Sequence, residues 1–185
     1  MCTYNHSILD ASKKIFIASI VVIFSFYVSA KNNINPFHFT ITVPQSNLSQ
    51  LLSLYYDVKN ALVNADAAAA SARADEFVKI INSIDSKTLT AEALKSFGSL
   101  QGKLQRGAGN IAATKDISKQ RDYFASFSLD LFALAKSVKL SEQPVYQAYC
   151  PMKKMYWLTN EKTIKNPYYG KQMLNCGSIT ETINP

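Results

Sequence analysis

The sequence predicts a mainly α protein: an antiparallel four-helix bundle followed by a loop-rich, partly β C-terminal segment. Three observations carry this. Between Leu48 and Lys139, four runs repeat apolar residues at i, i+3 and i+4, the period of a helix with one buried face. Short stretches of capping residues separate the runs. From Ser141 onward, prolines, glycines and tyrosines replace the helical period.

The chain opens with a segment to set apart from the fold. Lys13 and Lys14 precede an apolar run from Ile15 to Val28, and Val28-Ser29-Ala30 offers small residues for cleavage. That layout predicts a secretory signal peptide over residues 1–30 and an exported, periplasmic or similar location. The run is about 14 residues long, short of the roughly 20 that a spanning helix needs. An uncleaved N-terminal anchor is the alternative. Cys2 lies before the apolar run, which argues against a lipoprotein signal. No later stretch is apolar enough to span a bilayer, so no stable membrane insertion is expected after cleavage. Residues 31–47 are polar, contain Pro36 and Pro44, and read as a linker or extended arm, with Phe37 to Val43 able to form a short strand.

The bundle is expected over residues 48–140. Leu48, Leu51, Leu52, Tyr55, Val58 and Leu62 define the first helix. Asp66 is placed to cap a second, whose inner face holds Ala70, Ala74, Phe77, Ile81 and Ile84, and its alanine-rich start invites close approach by a neighbour. The third run carries Leu94, Phe97, Leu100 or Gln101, Leu104, Ala108 and Ile111. Gly98, Gly102, Gly107 and Gly109 interrupt it, each costing up to about 1 kcal/mol relative to alanine. It is expected to be the least regular helix. The fourth runs from about Asp116 to Lys139, with Ile117, Phe124, Phe127, Leu131, Ala135 and Val138 inward. Helices joined by short loops bury such faces best as an antiparallel bundle.

Residues 141–185 form the C-terminal segment. Pro144 to Tyr149 and Ile179 to Ile183 alternate like strands around an irregular loop. Two such strands would bring Cys150 and Cys176 close together. Tyr146, Tyr149, Tyr156, Trp157, Tyr168 and Tyr169 serve mostly to pack this segment on the helices, and could also shield a small site.

Charge and missing residue types narrow the function. The formal net charge is +7, and +6 once Asp10, Lys13 and Lys14 are removed with residues 1–30. The lysines are scattered, with only Lys153 and Lys154 adjacent beyond the signal region, so no nucleic-acid stripe is present. His38 is the only histidine after residue 30, which leaves a Ser-His-Asp or Cys-His unit almost without a base. Histidine-based zinc sites fail on the same count. Gly107 and Gly109 lie in a glycine-rich stretch without the lysine ending of a phosphate loop. Arg121 is expected to serve the structure, for instance in a buried ion pair. The chain is not expected to be an enzyme.

The chemistry concentrates in one window. Beyond residue 30 the chain has two cysteines and three methionines: Cys150, Met152, Met155, Met173 and Cys176. Thiolate and thioether ligands suit soft metals, copper(I) above all. The competing reading is a metal-free structural or interaction module stapled by a Cys150–Cys176 disulfide, worth roughly 3–4 kcal/mol by loop-closure entropy. Outside the cytosol two cysteines often pair, and the two readings exclude each other at any instant.

Residues Tyr55 to Val63, Asp66, Gln120 to Phe124 and Ser128 resemble the helical part of an uncharacterised bacterial exported domain family. Tyr149-Cys150-Pro151-Met152, Trp157-Leu158, Ile164 to Gly170 and Met173 to Gly177 resemble its C-terminal signature. The similarity spans about residues 48–183. Members of that family occur alone or fused to periplasmic adaptor subunits of copper- and silver-type heavy-metal efflux systems. The Tyr-Cys-Pro-Met element is similar to the metal-binding element of such adaptors. The resemblance implies a helical domain in envelope metal handling, with a periplasmic adaptor or other efflux component as partner. One departure is that Lys153 and Lys154 follow Cys-Pro-Met directly, where relatives carry a small residue and a longer spacer. The sequence therefore predicts an exported copper(I)- or silver-binding domain with Cys150, Met152, Met155, Met173 and Cys176 as ligands, and Trp157 and Tyr149 as shielding.

Overall fold

The computed structural model describes residues 47–185. The expected signal peptide over residues 1–30 and the arm over residues 31–46 lie outside the described residues. Asn47, assigned by composition to the arm, instead opens the first helix. Four helices and a small three-stranded antiparallel sheet make up the described chain, which is mainly helical. The helices are α1 (Asn47–Val63), α2 (Ala67–Ser83), α3 (Ala91–Ala112) and α4 (Ile117–Ser137).

The helices α2, α3 and α4 each begin where a short polar side chain takes up unpaired backbone N–H groups. An Asp66 carboxylate oxygen accepts from the Ala69 N–H at 2.9 Å, and the Thr90 hydroxyl accepts from the Ala93 N–H at 3.2 Å. Asp116 accepts from both Ser118 and Lys119. Caps of this kind are worth about 1 kcal/mol each. Successive helices pack on one another, and α4 also touches α1. Leu51, Tyr55, Val58, Leu62, Phe77, Ile81, Leu104, Ile111, Phe124, Phe127 and Leu131 have no exposure, so the apolar stripes meet in one core.

The third helix departs from expectation. Despite four glycines it runs unbroken for 22 residues, the longest of the four. Burial of one face outweighs the propensity cost, and Gly107 has a packing reason: a Cβ there would lie 3.0 Å from the Phe127 Cβ. Its bare backbone lets α4 come close. Leu94, expected inward, is exposed at the start of this helix.

The C-terminal segment holds one more strand than the sequence suggested. The strands are β1 (Val145–Cys150), β2 (Met155–Thr159) and β3 (Ser178–Ile183), in the order β2-β1-β3. β2 escaped notice because Met155-Tyr-Trp-Leu-Thr159 is apolar without clean alternation, and the turn before it carries two lysines. β1 and β2 form a hairpin in which Cys150 faces Met155. Between β1 and β3 the register slips at Gln147 and Ala148, leaving Thr180 as the extra residue of a bulge. The Thr180 hydroxyl donates back to the Gln147 carbonyl there.

Tyr55 and Arg121 are among the side chains that tie this segment to the helices. The Tyr55 hydroxyl, fully buried on α1, lies 2.8 Å from the Ser128 hydroxyl of α4 and accepts from the Leu158 N–H of β2 at 2.9 Å. Among the described residues Arg121 makes no ion pair, contrary to one sequence expectation. Its guanidinium donates to the Pro167 carbonyl at 2.9 Å and to the Leu62 carbonyl, near the end of α1, at 3.0 Å. An arginine at a helix C-terminus satisfies an orphan carbonyl and complements the dipole.

Candidate metal centre

The sulfur site is built on the tip of the β1–β2 hairpin and the turn that leads into β3. Cys150 is the last residue of β1 and is fully buried. Pro151 starts a four-residue turn closed by the Lys154 N–H donating to the Cys150 carbonyl at 2.7 Å. Lys154 takes a left-handed backbone (φ 56°) so that the chain can re-enter β2. The backbone N–H groups of Met152 and Lys153 in this turn face the Cys150 sulfur.

Cys176 arrives by a separate route. A 3₁₀ turn over Gly170–Met173 is followed by the Cys176 N–H donating to the Met173 carbonyl at 3.1 Å. Gly177 then adopts φ 145° beneath Trp157, where a Cβ would lie 2.7 Å from the indole ring and 2.9 Å from the Tyr149 carbonyl. Only glycine fits that corner. The outcome is that the Cys150 and Cys176 sulfurs lie 3.5 Å apart, both as free thiols. The proximity expected from two flanking strands is present, with the hairpin partner β2 added.

Asn166 holds the two segments in register, a role that sequence reasoning missed. It is fully buried, and its carboxamide N–H donates to the Cys176 carbonyl at 2.7 Å. Its side-chain oxygen accepts from the Tyr168 N–H at 2.8 Å and the Tyr169 N–H at 3.3 Å. Its backbone N–H donates to the Leu174 carbonyl, and its carbonyl accepts from Gly170. The sequence signal was Asn-Pro before Tyr-Tyr-Gly, since asparagine bonding two residues on forms a turn of its own.

Electrostatics distinguish the two thiols. Burial pushes Cys150 up, but bonds from the Lys153 N–H, the Asn166 amide, the Cys176 thiol and the Met152 N–H outweigh it and hold Cys150 below the usual thiol range. The bond to Cys150, with burial and the charge of the Cys150 thiolate behind it, pushes Cys176 up. The pair therefore titrates as a unit in which Cys150 ionises more readily than Cys176.

The methionines divide. Met155 stands opposite Cys150 in the ladder, where facing side chains come within about 5 Å at Cβ. Met152, on the turn, is 63% exposed, and Met173 is 36% exposed. Both lie on segments that carry the cysteines. Trp157 is 1% exposed and packs edge-on to Tyr168. Tyr149 pairs with Tyr156 at 4.6 Å between ring centres. Lys153 leans away toward Asp122 (3.8 Å) and over the Tyr169 ring (6.0 Å), which offsets part of the positive charge beside the sulfurs.

The donor chemistry fits a soft monovalent ion. Metal–thiolate bonds of about 2.3 Å separate two ligands of a trigonal or tetrahedral site by about 3.8–4.0 Å. The sulfurs need to part by only a few tenths of an ångström from 3.5 Å. Among the described residues, no group of three or more His, Cys, Asp or Glu side chains is placed to hold a metal ion. Also among them, no helix is long and apolar enough to cross a membrane.

A family described as protein of unknown function (DUF3347) matches residues 51–143. That range takes in most of α1 and all of the other three helices and stops before β1, so the cysteine and methionine segment lies beyond it. No curated protein and no solved structure matches the chain.

Proposed function

The chain belongs to this family of unknown function, and on that premise we propose that it is an exported, non-enzymatic binder of copper(I) or silver. It buffers the ion or hands it to an efflux partner. The observation that carries this reading is the pair of free thiols 3.5 Å apart, one of them favoured as thiolate by two backbone N–H groups. Cys150 and Cys176 supply thiolates, and Met155 is the nearest candidate thioether because it faces Cys150 in the ladder. Met152 and Met173, exposed on the same two segments, are suited to first capture of the ion from solution or from a partner. Copper(I) prefers such sulfur ligands, whereas zinc would want further thiolates or imidazoles.

The finer architecture belongs to the same proposal. Packing of each helix on the next, with α4 against α1, supports an antiparallel four-helix bundle. The Cys-Pro-Met and Met-Leu-Asn-Cys-Gly elements mark the C-terminal segment as the metal-handling part. A periplasmic adaptor or another component of a copper- or silver-type efflux system is the proposed partner, and the signal-like N-terminus supports export.

Competition of the reduced protein with a copper(I) chelator tests the reading. Wild type is expected to withdraw copper(I), and Cys150→Ser and Cys176→Ser are each expected to abolish tight binding. Met152→Leu or Met173→Leu should only weaken it, since leucine keeps the volume and a neutral thioether contributes less than a thiolate. If wild type and the double serine variant compete equally poorly, the metal reading fails, and a metal-free module stapled by a disulfide becomes the better account.

A further inference from the structure

We propose that Cys176 is a site of thiol–disulfide exchange with Cys150 as its resolving partner, so that the pair is reversibly oxidised by a substrate disulfide. This builds on treating the two sulfurs as one site, but it does not require that they bind a metal.

Three features point to it. The sulfurs are already in contact at 3.5 Å, and a covalent disulfide at about 2.05 Å asks for only about 1.5 Å of further approach. Access to the two is unequal. Cys150 is fully buried, the last rung of a ladder that holds it opposite Met155. Cys176 is partly exposed and lies before β3 begins, in a stretch free of strand pairing. An external sulfur can therefore reach Cys176, while Cys150 is within reach of Cys176 alone. The third feature is orientation. The Asn166 amide fixes the Cys176 carbonyl at 2.7 Å, keeping the sulfur turned to Cys150 while the residue stays at the surface.

The exchange balances in two steps. The Cys176 thiol releases its proton, which the first departing substrate thiolate takes up, and its sulfur attacks one sulfur of the substrate disulfide. The substrate S–S bond breaks, and one substrate sulfur leaves with the electron pair. Cys150 then attacks the Cys176 sulfur of the mixed disulfide, losing its proton to the departing second thiolate, and the Cys150–Cys176 bond forms. Two thiols have given two electrons, and the substrate disulfide has become two thiols. A dithiol reverses the sequence. The 26-residue separation of the cysteines marks the pair as a client of such exchange rather than as an oxidoreductase of the Cys-x-x-Cys kind. Because the closed pair offers no thiolate, oxidation and metal loading would exclude each other.

The test uses the full chain carrying Cys2→Ser, which leaves these two thiols alone, reduced and kept metal-free with a chelator. It is exposed to oxidised glutathione, quenched in acid and weighed intact. The expected wild-type product is an internal disulfide, about two mass units lighter, without adduct and reversed by dithiothreitol. Cys150→Ser should accumulate one glutathione on Cys176, and Cys176→Ser should form its adduct at least about tenfold more slowly because its remaining thiol is buried. Both serine variants are near-isosteric, and circular dichroism verifies that each is folded. The proposal is overturned if folded Cys176→Ser is modified as fast as folded Cys150→Ser, or if wild type stays reduced. Since no metal is present, either result leaves the copper(I) reading to its own assay.

Discussion

The Asn166 carboxamide donates a 2.7 Å hydrogen bond to the Cys176 carbonyl, and this bond locks the sulfur-bearing turn against the loop that docks on the helices. Asn166→Ala would orphan that part-buried carbonyl and the buried Tyr168 N–H. At about 1–3 kcal/mol for each unsatisfied group, a loss of about 2–4 kcal/mol is expected in urea unfolding. Asn166→Asp keeps the acceptor toward Tyr168 but sets a carboxylate oxygen against the Cys176 carbonyl in a fully buried site, so its loss should be larger than that of Asn166→Ala. A smaller loss for Asn166→Asp would show that the acceptor role outweighs the donor bond.

The Tyr55 hydroxyl joins α1, α4 and β2 through Ser128 and Leu158. Tyr55→Phe should cost about 1–3 kcal/mol, mostly from the buried Leu158 N–H left unpaired. Ser128→Ala should cost less, because the tyrosine hydroxyl keeps its bond from Leu158. A double-mutant cycle by chemical denaturation is expected to give a coupling of at least about 0.5 kcal/mol, as for other contacting pairs in one network. Strict additivity would count against a shared network.

The glycines of α3 should respond in opposite directions. A Cβ at Gly98 or Gly109 meets nothing within 4 Å, so alanine there is expected to raise stability by about 0.5–1 kcal/mol through helix propensity. At Gly107 the same methyl would press on the Phe127 Cβ at 3.0 Å and the Phe127 Cα at 3.3 Å. Separating α3 from α4 there should outweigh the propensity gain and lower the melting temperature. A stabilising Gly107→Ala would mean that the helices part more easily than this packing implies.

Lys59 is the one fully buried cation among the described residues, and its ammonium finds only the Thr159 hydroxyl at 3.4 Å and the Tyr56 ring face at 5.7 Å. Burial lowers it to about 8, against an opposing pull from Glu161. The unfolded chain titrates near 10.4. Between about pH 8 and 10 the unfolded state holds more protons, so this group's contribution to stability rises with pH there and is flat below. Lys59→Met keeps the stem and removes the charge. It should raise stability at pH 7 by up to about 3 kcal/mol and flatten the alkaline rise. Paired denaturation curves of wild type and variant at pH 7 and 10 check this; parallel shifts at both values would refute it.

Much of the helical layer could be read directly from residues. Leu48, Leu51, Leu52, Tyr55, Val58 and Leu62 follow the helical period and all are buried. Asp66 caps where its short side chain predicts, and the fourth helix starts next to Asp116, where it is expected to begin. These features are local, settled by spacing of a few residues along the chain. The sulfur window was equally visible, because five sulfur-bearing residues fall between positions 150 and 176 in a chain otherwise nearly free of them. What stayed hidden depends on partners far away in sequence. Lys59 sits on an apolar stripe where a lysine reads as surface, and only the arrival of Thr159, 100 residues later, encloses it. Arg121 has two backbone carbonyls as partners, which carry no sequence signal at all.

The sequence alone determined where helices start, which faces they bury and which residues carry soft-ligand chemistry, because these follow from periodicity, capping and side-chain type. The tertiary structure alone decided the distance between the two thiols, which of them is buried, and which ionises more readily. Those properties arise from a hairpin turn, a bulge at Thr180, a glycine beneath Trp157 and the carboxamide of Asn166. Each fixes a separation of a few ångströms between segments some 26 residues apart, and no local preference along a chain can encode such a distance until the core has assembled.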